Sequence, residues 1–197
     1  LLADGSVVTW GDPQHGGLSS FVQEKLQRVW CIQASYQAFA AILADGSVVT
    51  WGCRGCGGDS SHVRHQLRKV QQVQATLEAF AAITEDGFVV TWGAAVYGGD
   101  SSKVQNQLWS VQQIQATHLS FAAILADGSV VTWGEPTSGG DSSEVQEKLR
   151  NVKKIQGTSQ AFAAILADGS VVTWGEPTAG GDSSRVLDRL RSVKDIQ

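Results

Sequence analysis

The chain has 197 residues, of which 42% are hydrophobic and 17% charged, and its formal net charge is −4. This composition is typical of a soluble globular protein, and the acidic balance excludes the basic surface that nucleic acids and anionic membranes require. No apolar run approaches the roughly 20 residues of a membrane helix, so neither nucleic acid nor a membrane is a predicted partner. Three cysteines are too few for a disulfide framework, which predicts an intracellular protein, cytoplasmic or nuclear.

The sequence repeats itself with a period of 41 residues, and this period indicates a repeat architecture. One tryptophan recurs at the same place in each copy: Trp10, Trp51, Trp92, Trp133 and Trp174. We predict a single repeat domain over residues 1–197. Its repeats are approximately 1–31, 32–72, 73–113, 114–154 and 155–195, with incomplete fragments at the ends.

Each repeat carries the pattern of three short strands. In the fourth repeat, Ile114–Ala116 begins an alternating strand and Phe121–Leu125 is a continuous apolar run, as expected of a covered middle strand. Val130–Trp133 is β-branched and aromatic, which is typical of a third strand. Asp127-Gly128 lies between the last two strands and predicts a tight turn. The pair of strands that it joins is therefore antiparallel.

A short helix is predicted after the third strand. Asp141 and the two serines that follow it offer side-chain oxygens that cap a helix start. Val145, Leu149 and Val152 fall at helical spacing and form one apolar stripe. The third repeat has the same stripe at Val104, Leu108 and Val111. We expect this stripe to pack on the sheet.

Repeated antiparallel units that cannot bury both faces alone are typical of propeller blades. The predicted fold class is mainly β: a partial β-propeller of about five repeats, each with three antiparallel strands and a short helix. The WD40 type shares this period, but glycine rather than aspartate follows every repeat tryptophan. The first repeat lacks most of its middle strand, which predicts an excerpt of a longer chain with open blade edges.

The repeat consensus I-Q-A-T-x-x-A-F-A-A-I-L-A-D-G-S-V-V-T-W-G resembles the repeats of the regulator of chromosome condensation family. It is more similar still to the short three-stranded blades of the β-lactamase inhibitor protein type. The most specific part, D-G-x-V-x-x-W-G, occurs in all five copies. Thr117 and Ser120 depart from the family's Gly and His before the middle strand, and G-G-D-S-S replaces its G-Q-L-G loop. The resemblance implies a propeller that binds other proteins.

Strand directions place two variable loops at the same edge of every blade. The first strand ends at one loop, and the third strand ends at the loop after Trp-Gly. Variable loops held by a rigid scaffold are typical binding elements, although they also vary where nothing constrains them. The predicted partner-binding residues are Tyr36, Gln37, Arg54, Leu77, Glu78, Tyr97, His118, Leu119, Ser159 and Gln160.

The seven tryptophans fall into two groups with different predicted roles. The five repeat tryptophans are expected in the core, because one large aromatic per blade is typical of propeller packing. Trp30 and Trp109 take the places of polar or charged residues in other repeats, so they are expected to be exposed.

The second repeat alone combines two thiols with two imidazoles. Cys53 and Cys56 are followed by His62 and His65, and these residue types are the ligands of tetrahedral zinc sites. The spacing between the pairs is shorter than in a zinc finger, and the alternative is a set of incidental surface residues. Apart from zinc at this place, no cofactor is predicted.

The sequence contains no arrangement typical of an active site. We find no acid–base pair, no nucleophile with its base and no phosphate-binding glycine loop in the sequence. We therefore expect that the protein is not an enzyme. The predicted function is a non-catalytic scaffold for an unidentified protein partner. The family resemblance implies two alternatives: a nucleotide exchange factor or regulator of a small GTPase, and a substrate-recognition propeller of a ubiquitin ligase.

Overall fold

A computed structural model describes residues 1–196 of the chain. Within these residues the chain forms four antiparallel sheets of three strands, each in sequential order. The strands are β1 (Val29–Ala34), β2 (Ala38–Leu43), β3 (Val48–Gly52), β4 (Val70–Ala75), β5 (Ala79–Thr84), β6 (Val89–Gly93), β7 (Val111–Ala116), β8 (Ser120–Leu125), β9 (Val130–Gly134), β10 (Val152–Gly157), β11 (Ala161–Leu166) and β12 (Val171–Gly175). Each sheet is one blade, which confirms the predicted mainly-β fold.

The chain divides into two compact units. Unit 1 is Leu1–Asp100 and contains the blades β1–β3 and β4–β6. Unit 2 is Ser101–Gln197 and contains the blades β7–β9 and β10–β12. Each unit therefore holds two complete blades, and the residues before β1 add the fragment of the first repeat to unit 1.

A tight turn joins the second and third strands of each blade. In the first blade, Asp45 accepts hydrogen bonds from the backbone N–H and the hydroxyl of Ser47, at 2.9 and 2.7 Å. Gly46 has φ 77°, a left-handed conformation that favours glycine. Asp127 and Asp168 make the same bonds in unit 2. The predicted Asp-Gly turns are thus confirmed, and the end of the blade that carries them is called the turn edge below.

The segment predicted as a short helix is shorter than the pattern suggested. Its helical part is a single 3-10 turn, Gln146–Lys148. The chain leaves helical geometry at Leu149 (ψ 63°) and becomes left-handed at Asn151 (φ 55°), so Val152 begins β10 instead of ending a helix. The other 3-10 turns are Pro13–His15, Gln23–Lys25, Ala95–Tyr97, Gln105–Gln107, Pro136–Ser138, Pro177–Ala179 and Ser184–Arg189, and Arg54–Gly58 is an irregular turn.

The apolar stripe nevertheless packs on the sheet, as predicted. Leu149 and Val152 are buried in a core with Ile155 and Trp174, and Val145 packs against that core. Period alone could not distinguish a helix from a 3-10 turn followed by a strand, because both bring these three side chains to one surface.

In three of the blades, the repeat tryptophan is hydrogen-bonded to the loop of the preceding repeat. Trp92 stacks on Phe80 with ring centroids 5.3 Å apart, and both side chains are fully buried. The indole N–H of Trp92 donates to the carbonyl oxygen of Gly57 at 3.0 Å. Equivalent bonds join Trp51 to Gly16 and Trp174 to Gly139. These bonds fix the positions of the loops that contain Gly16, Gly57 and Gly139.

Trp10 does not share this role, so its predicted place in the core is wrong. Its side chain is 84% exposed, whereas Trp51, Trp92, Trp133 and Trp174 are buried. Each buried tryptophan stacks on a phenylalanine of the adjacent middle strand.

Candidate protein-interaction edge

The two variable loops of each blade are hydrogen-bonded to one another. In the first blade, the N–H of Cys53 donates to the carbonyl oxygen of Gln37 at 2.8 Å. The same bond forms from Ala94 to Glu78, from Glu135 to Leu119 and from Glu176 to Gln160. Both loops therefore lie at one end of the blade, as strand direction predicted, and this end is called the variable edge.

Neighbouring blades within a unit also join at this edge. In unit 1, the N–H of Tyr36 donates to the carbonyl oxygen of Leu77 at 2.9 Å. In unit 2, His118 donates in the same way to Ser159 at 2.9 Å. Unit 1 thus carries Tyr36, Gln37, Arg54, Leu77, Glu78 and Tyr97, and unit 2 carries His118, Leu119, Ser159 and Gln160.

The predicted residues differ in how much of each side chain solvent can reach. Tyr36 is an aromatic residue of unit 1 whose side chain is 71% exposed. Leu77, Tyr97 and Leu119 are partly buried, so part of each side chain belongs to the fold. The hydroxyl of Thr76 holds the carbonyl oxygen of Tyr97 at 2.9 Å, which orders this loop.

Sequence reasoning missed the most exposed aliphatic side chain of this edge. Val96 is 70% exposed, in the middle of the 3-10 turn Ala95–Tyr97. The available signal was its position at the centre of a four-residue loop, where a side chain points away from both anchored ends. Tyr36 and Val96 are two exposed apolar side chains of unit 1 at this edge.

Charged groups of both signs also belong to the variable edge of unit 1. The guanidinium of Arg54 bonds to Asp59 at 2.7 Å, and this contact holds the pKa of the Asp59 carboxyl well below its usual range. His15 lies 2.9 Å from Asp12, and its other ring nitrogen lies 3.1 Å from the side-chain amide of Gln37. The variable edge of unit 1 is therefore polar and held by its own contacts.

In unit 2 a carboxylate stands at the start of the variable turn. Glu135 accepts hydrogen bonds from the hydroxyl of Thr137 at 2.6 Å and the N–H of Ser138 at 2.8 Å. These bonds, led by that of Thr137, lower the pKa of Glu135. Pro136 takes the first position of the turn, where the missing N–H costs nothing. The Glu-Pro-Thr sequence thus builds a rigid turn with a fixed negative charge.

The four side chains predicted as zinc ligands do not come together. The sulfurs of Cys53 and Cys56 lie 2.9 Å apart at the variable edge. His65 lies beside Glu85 and Asp86 near the turn edge, because the chain crosses the length of the blade between the cysteines and the histidines. Among residues 1–196, no three His, Cys, Asp or Glu side chains form a group that could hold a metal ion, and His62 therefore adds nothing to the thiol pair.

Trp30 and Trp109 are exposed, as predicted. Trp30 is 54% exposed and stands where the register between β1 and β2 shifts, between Val29 and Cys31. Trp109 is 60% exposed and precedes the left-handed residue Ser110. Both lie next to backbone irregularities rather than on the variable edge.

Comparison with known proteins places these blades in a known fold. No protein-family model matches the chain, and no curated protein matches its sequence. Yeast RCC1 (Prp20) in its complex with Kap60 is similar in structure, with TM-score 0.57 and 18% identity over 80% of this chain and 46% of that one. Prp20p of Saccharomyces cerevisiae, described with its binding to Gsp1p and histones, gives TM-score 0.58 and 18% identity over 84% and 52%.

A human protein shows the same likeness. WBSCR16 gives TM-score 0.52 and 20% identity over 77% of this chain and 48% of its own. In the part of the chain that the structure describes, no helix has the length and apolar character needed to span a bilayer. The chain spans about half the length of these three proteins, and its fold is that of the RCC1-type β-propeller.

Proposed function

We propose that this chain is a non-catalytic scaffold that binds a protein partner through its variable edge. The observation that supports the proposal is the contrast between the two ends of the blades. The turn edge repeats Asp-Gly-Ser in four of five copies, whereas the variable edge differs in every repeat. A rigid frame with diversity at one end is the usual arrangement of binding loops.

The chemistry of unit 1 suits a protein surface. Exposed Tyr36 and Val96 offer apolar contact area, and Arg54 belongs to the same edge, with its charge paired to Asp59. Aromatic residues and arginine are enriched at the centres of protein interfaces, with polar groups around them. The similar yeast structure is of RCC1 bound to Kap60, and by analogy we propose a protein partner here as well.

The test compares two variants of the same unit. Tyr36→Ser with Val96→Ser removes the exposed apolar contacts of the variable edge. Phe88→Ser is the matched control, because Phe88 is 53% exposed but lies next to the Asp86-Gly87 turn at the opposite edge. Affinity capture with quantitative mass spectrometry should show proteins that the wild type and Phe88→Ser retain and that the double variant loses at least tenfold.

Equal capture by all three proteins would overturn the proposal, as would equal loss with both variants. The far-UV circular dichroism spectrum of each variant should match that of the wild type, because all three substituted residues are exposed.

A regulator of a small GTPase is the second candidate. It is favoured by the likeness to Prp20p, which is described with its binding to Gsp1p. Nucleotide release from a panel of small GTPases, with and without the chain, separates the two candidates. Acceleration that survives Tyr36→Ser with Val96→Ser would favour the regulator and a different surface. Ubiquitin-ligase recognition and the intracellular compartment stay predictions.

A further inference from the structure

The variable loop of the second repeat contains a pair of thiols. Cys53 and Cys56 stand where other repeats have Asp12 and His15, or Ala94 and Tyr97. Their sulfurs are 2.9 Å apart, and both are free thiols. This close approach is confined to one loop, so it does not follow from the repeat architecture.

The backbone of this loop already has the geometry of a disulfide-bonded turn. The N–H of Cys56 donates to the carbonyl oxygen of Cys53 at 3.2 Å, which closes a turn of four residues. Such turns hold their end Cα atoms within about 7 Å, and disulfides need Cα atoms about 4.4–6.8 Å apart. The two sulfurs can therefore bond without rearrangement of the blade.

The two thiols are unequal in access to solvent. Cys53 is partly exposed, whereas Cys56 is buried and only 6% exposed. Burial, followed by the contact with Cys53, raises the pKa of the Cys56 thiol to about 12. The attacking species is a thiolate, and the oxidant must be able to reach it. The more exposed Cys53 is therefore the sulfur that reacts first.

We propose that Cys53 and Cys56 form a site of reversible oxidation by a low-molecular-weight disulfide of the glutathione class. The Cys53 thiolate attacks one sulfur of the oxidant, which forms a mixed disulfide and releases one glutathione thiolate. Cys56 then attacks the sulfur of Cys53, gives its proton to the released thiolate and displaces the second glutathione as a thiolate, which takes up from the solvent the proton that Cys53 gave up. The two protein thiols lose two electrons and two protons, and the oxidant becomes two molecules of glutathione.

Oxidation changes the variable edge but leaves its supports in place. The Cys56 thiol donates to the side-chain oxygen of Gln37 at 3.2 Å, and a disulfide has no hydrogen to donate there. Ser35 still holds the carbonyl oxygen of Cys56 at 3.2 Å, and Trp92 still holds Gly57. The change is therefore confined to the contact with Gln37, which lies at the proposed binding surface.

The experiment incubates the full chain in buffers of reduced and oxidised glutathione at fixed ratios. Remaining thiols are alkylated with N-ethylmaleimide, and the products are mapped by peptide mass spectrometry. We expect a peptide that has lost the mass of two hydrogen atoms and joins Cys53 to Cys56. Only Cys31 of the three cysteines should then be alkylated. Reduced glutathione in excess should restore all three alkylations.

Two variants make the result specific. Cys56→Ser should stop at a mixed disulfide on Cys53, because no second thiol displaces the glutathione. Cys31→Ser should oxidise like the wild type. Full alkylation of both Cys53 and Cys56 in oxidised glutathione would overturn the proposal. So would a mixed disulfide that persists in the wild type, or oxidation that requires Cys31. None of these results depends on whether the variable edge binds a protein.

Discussion

The indole N–H of Trp92 donates to the carbonyl oxygen of Gly57 across 35 positions of the chain, at 3.0 Å. The donor belongs to the core of one blade, and the acceptor belongs to the variable loop of the preceding repeat. One bond therefore serves two purposes, because it satisfies a buried polar group and holds a loop of the variable edge in place.

Removal of the indole nitrogen should destabilise unit 1. Trp92→Phe leaves the Gly57 carbonyl oxygen without its buried donor and reduces the area stacked on Phe80. We expect a loss of about 1–3 kcal/mol in the free energy of unfolding, measured by urea titration. Trp10→Phe is the control and should change the titration little, because Trp10 is 84% exposed. Equal effects of both substitutions would contradict the role of this bond.

A methyl group at Gly57 should also lower the free energy of unfolding. A Cβ atom there would lie 2.4 Å from the ring of Phe80, and Gly57 has φ 93°, which L side chains rarely adopt. Gly57→Ala should lower the unfolding free energy by about 1–3 kcal/mol. Gly55→Ala, in the same loop, meets nothing within 4 Å and should be nearly neutral. Thermal melts of the two variants provide the comparison.

A buried hydroxyl should contribute to the stability of unit 2. Ser142 is 4% exposed, and its oxygen lies 3.0 Å from the Thr132 hydroxyl and 2.8 Å from the Gln146 side chain. Ser142→Ala removes both hydrogen bonds of a buried hydroxyl and should cost about 1 kcal/mol in urea titrations. Glu147→Ala, at an exposed position next to Gln146, should stay within about 0.5 kcal/mol of the wild type.

Acid should weaken the blades through the Asp-Gly turns. The Ser129 side-chain bond, followed by its backbone bond, lowers the pKa of Asp127 below its usual 3.8, and Ser170 does the same for Asp168. A carboxylate with a lowered pKa in the folded state stabilises the fold above the unfolded pKa. This contribution is lost as the pH falls through the folded pKa. The urea midpoint should therefore drop between about pH 5 and pH 2.

Asparagine can accept the same hydrogen bonds without titrating. Asp127→Asn combined with Asp168→Asn should therefore show a smaller drop in midpoint over this pH range. A drop as large as that of the wild type would show that these turns do not cause the acid sensitivity.

The sequence predicted the strands and the turns because their signals are local. The Asp-Gly pair and the β-branched third strand each determine a conformation within a few residues. The predicted extent of the helix was wrong, because residues as different as Lys69, Ser110 and Asn151 adopt the left-handed conformation at this place, so residue type does not mark it. Strand direction correctly placed Tyr36 and Tyr97 at one edge. Burial of Tyr97 and exposure of Val96 depend on contacts between loops, which a pattern of spacing does not encode.

The attachment of the loops at both ends limits how this chain can vary. Gly52 lies against Ala38 of its own blade, and Gly57 holds the tryptophan of the next one, so four residues connect two fixed points. An insertion would move the acceptor away from its indole, whereas a substitution leaves both attachments unchanged. The copies accordingly differ in loop composition while the period of 41 is kept throughout. The four-residue loops have the same length and the same two attachment points. We therefore expect that such a loop can be exchanged between blades without changes to the neighbouring residues.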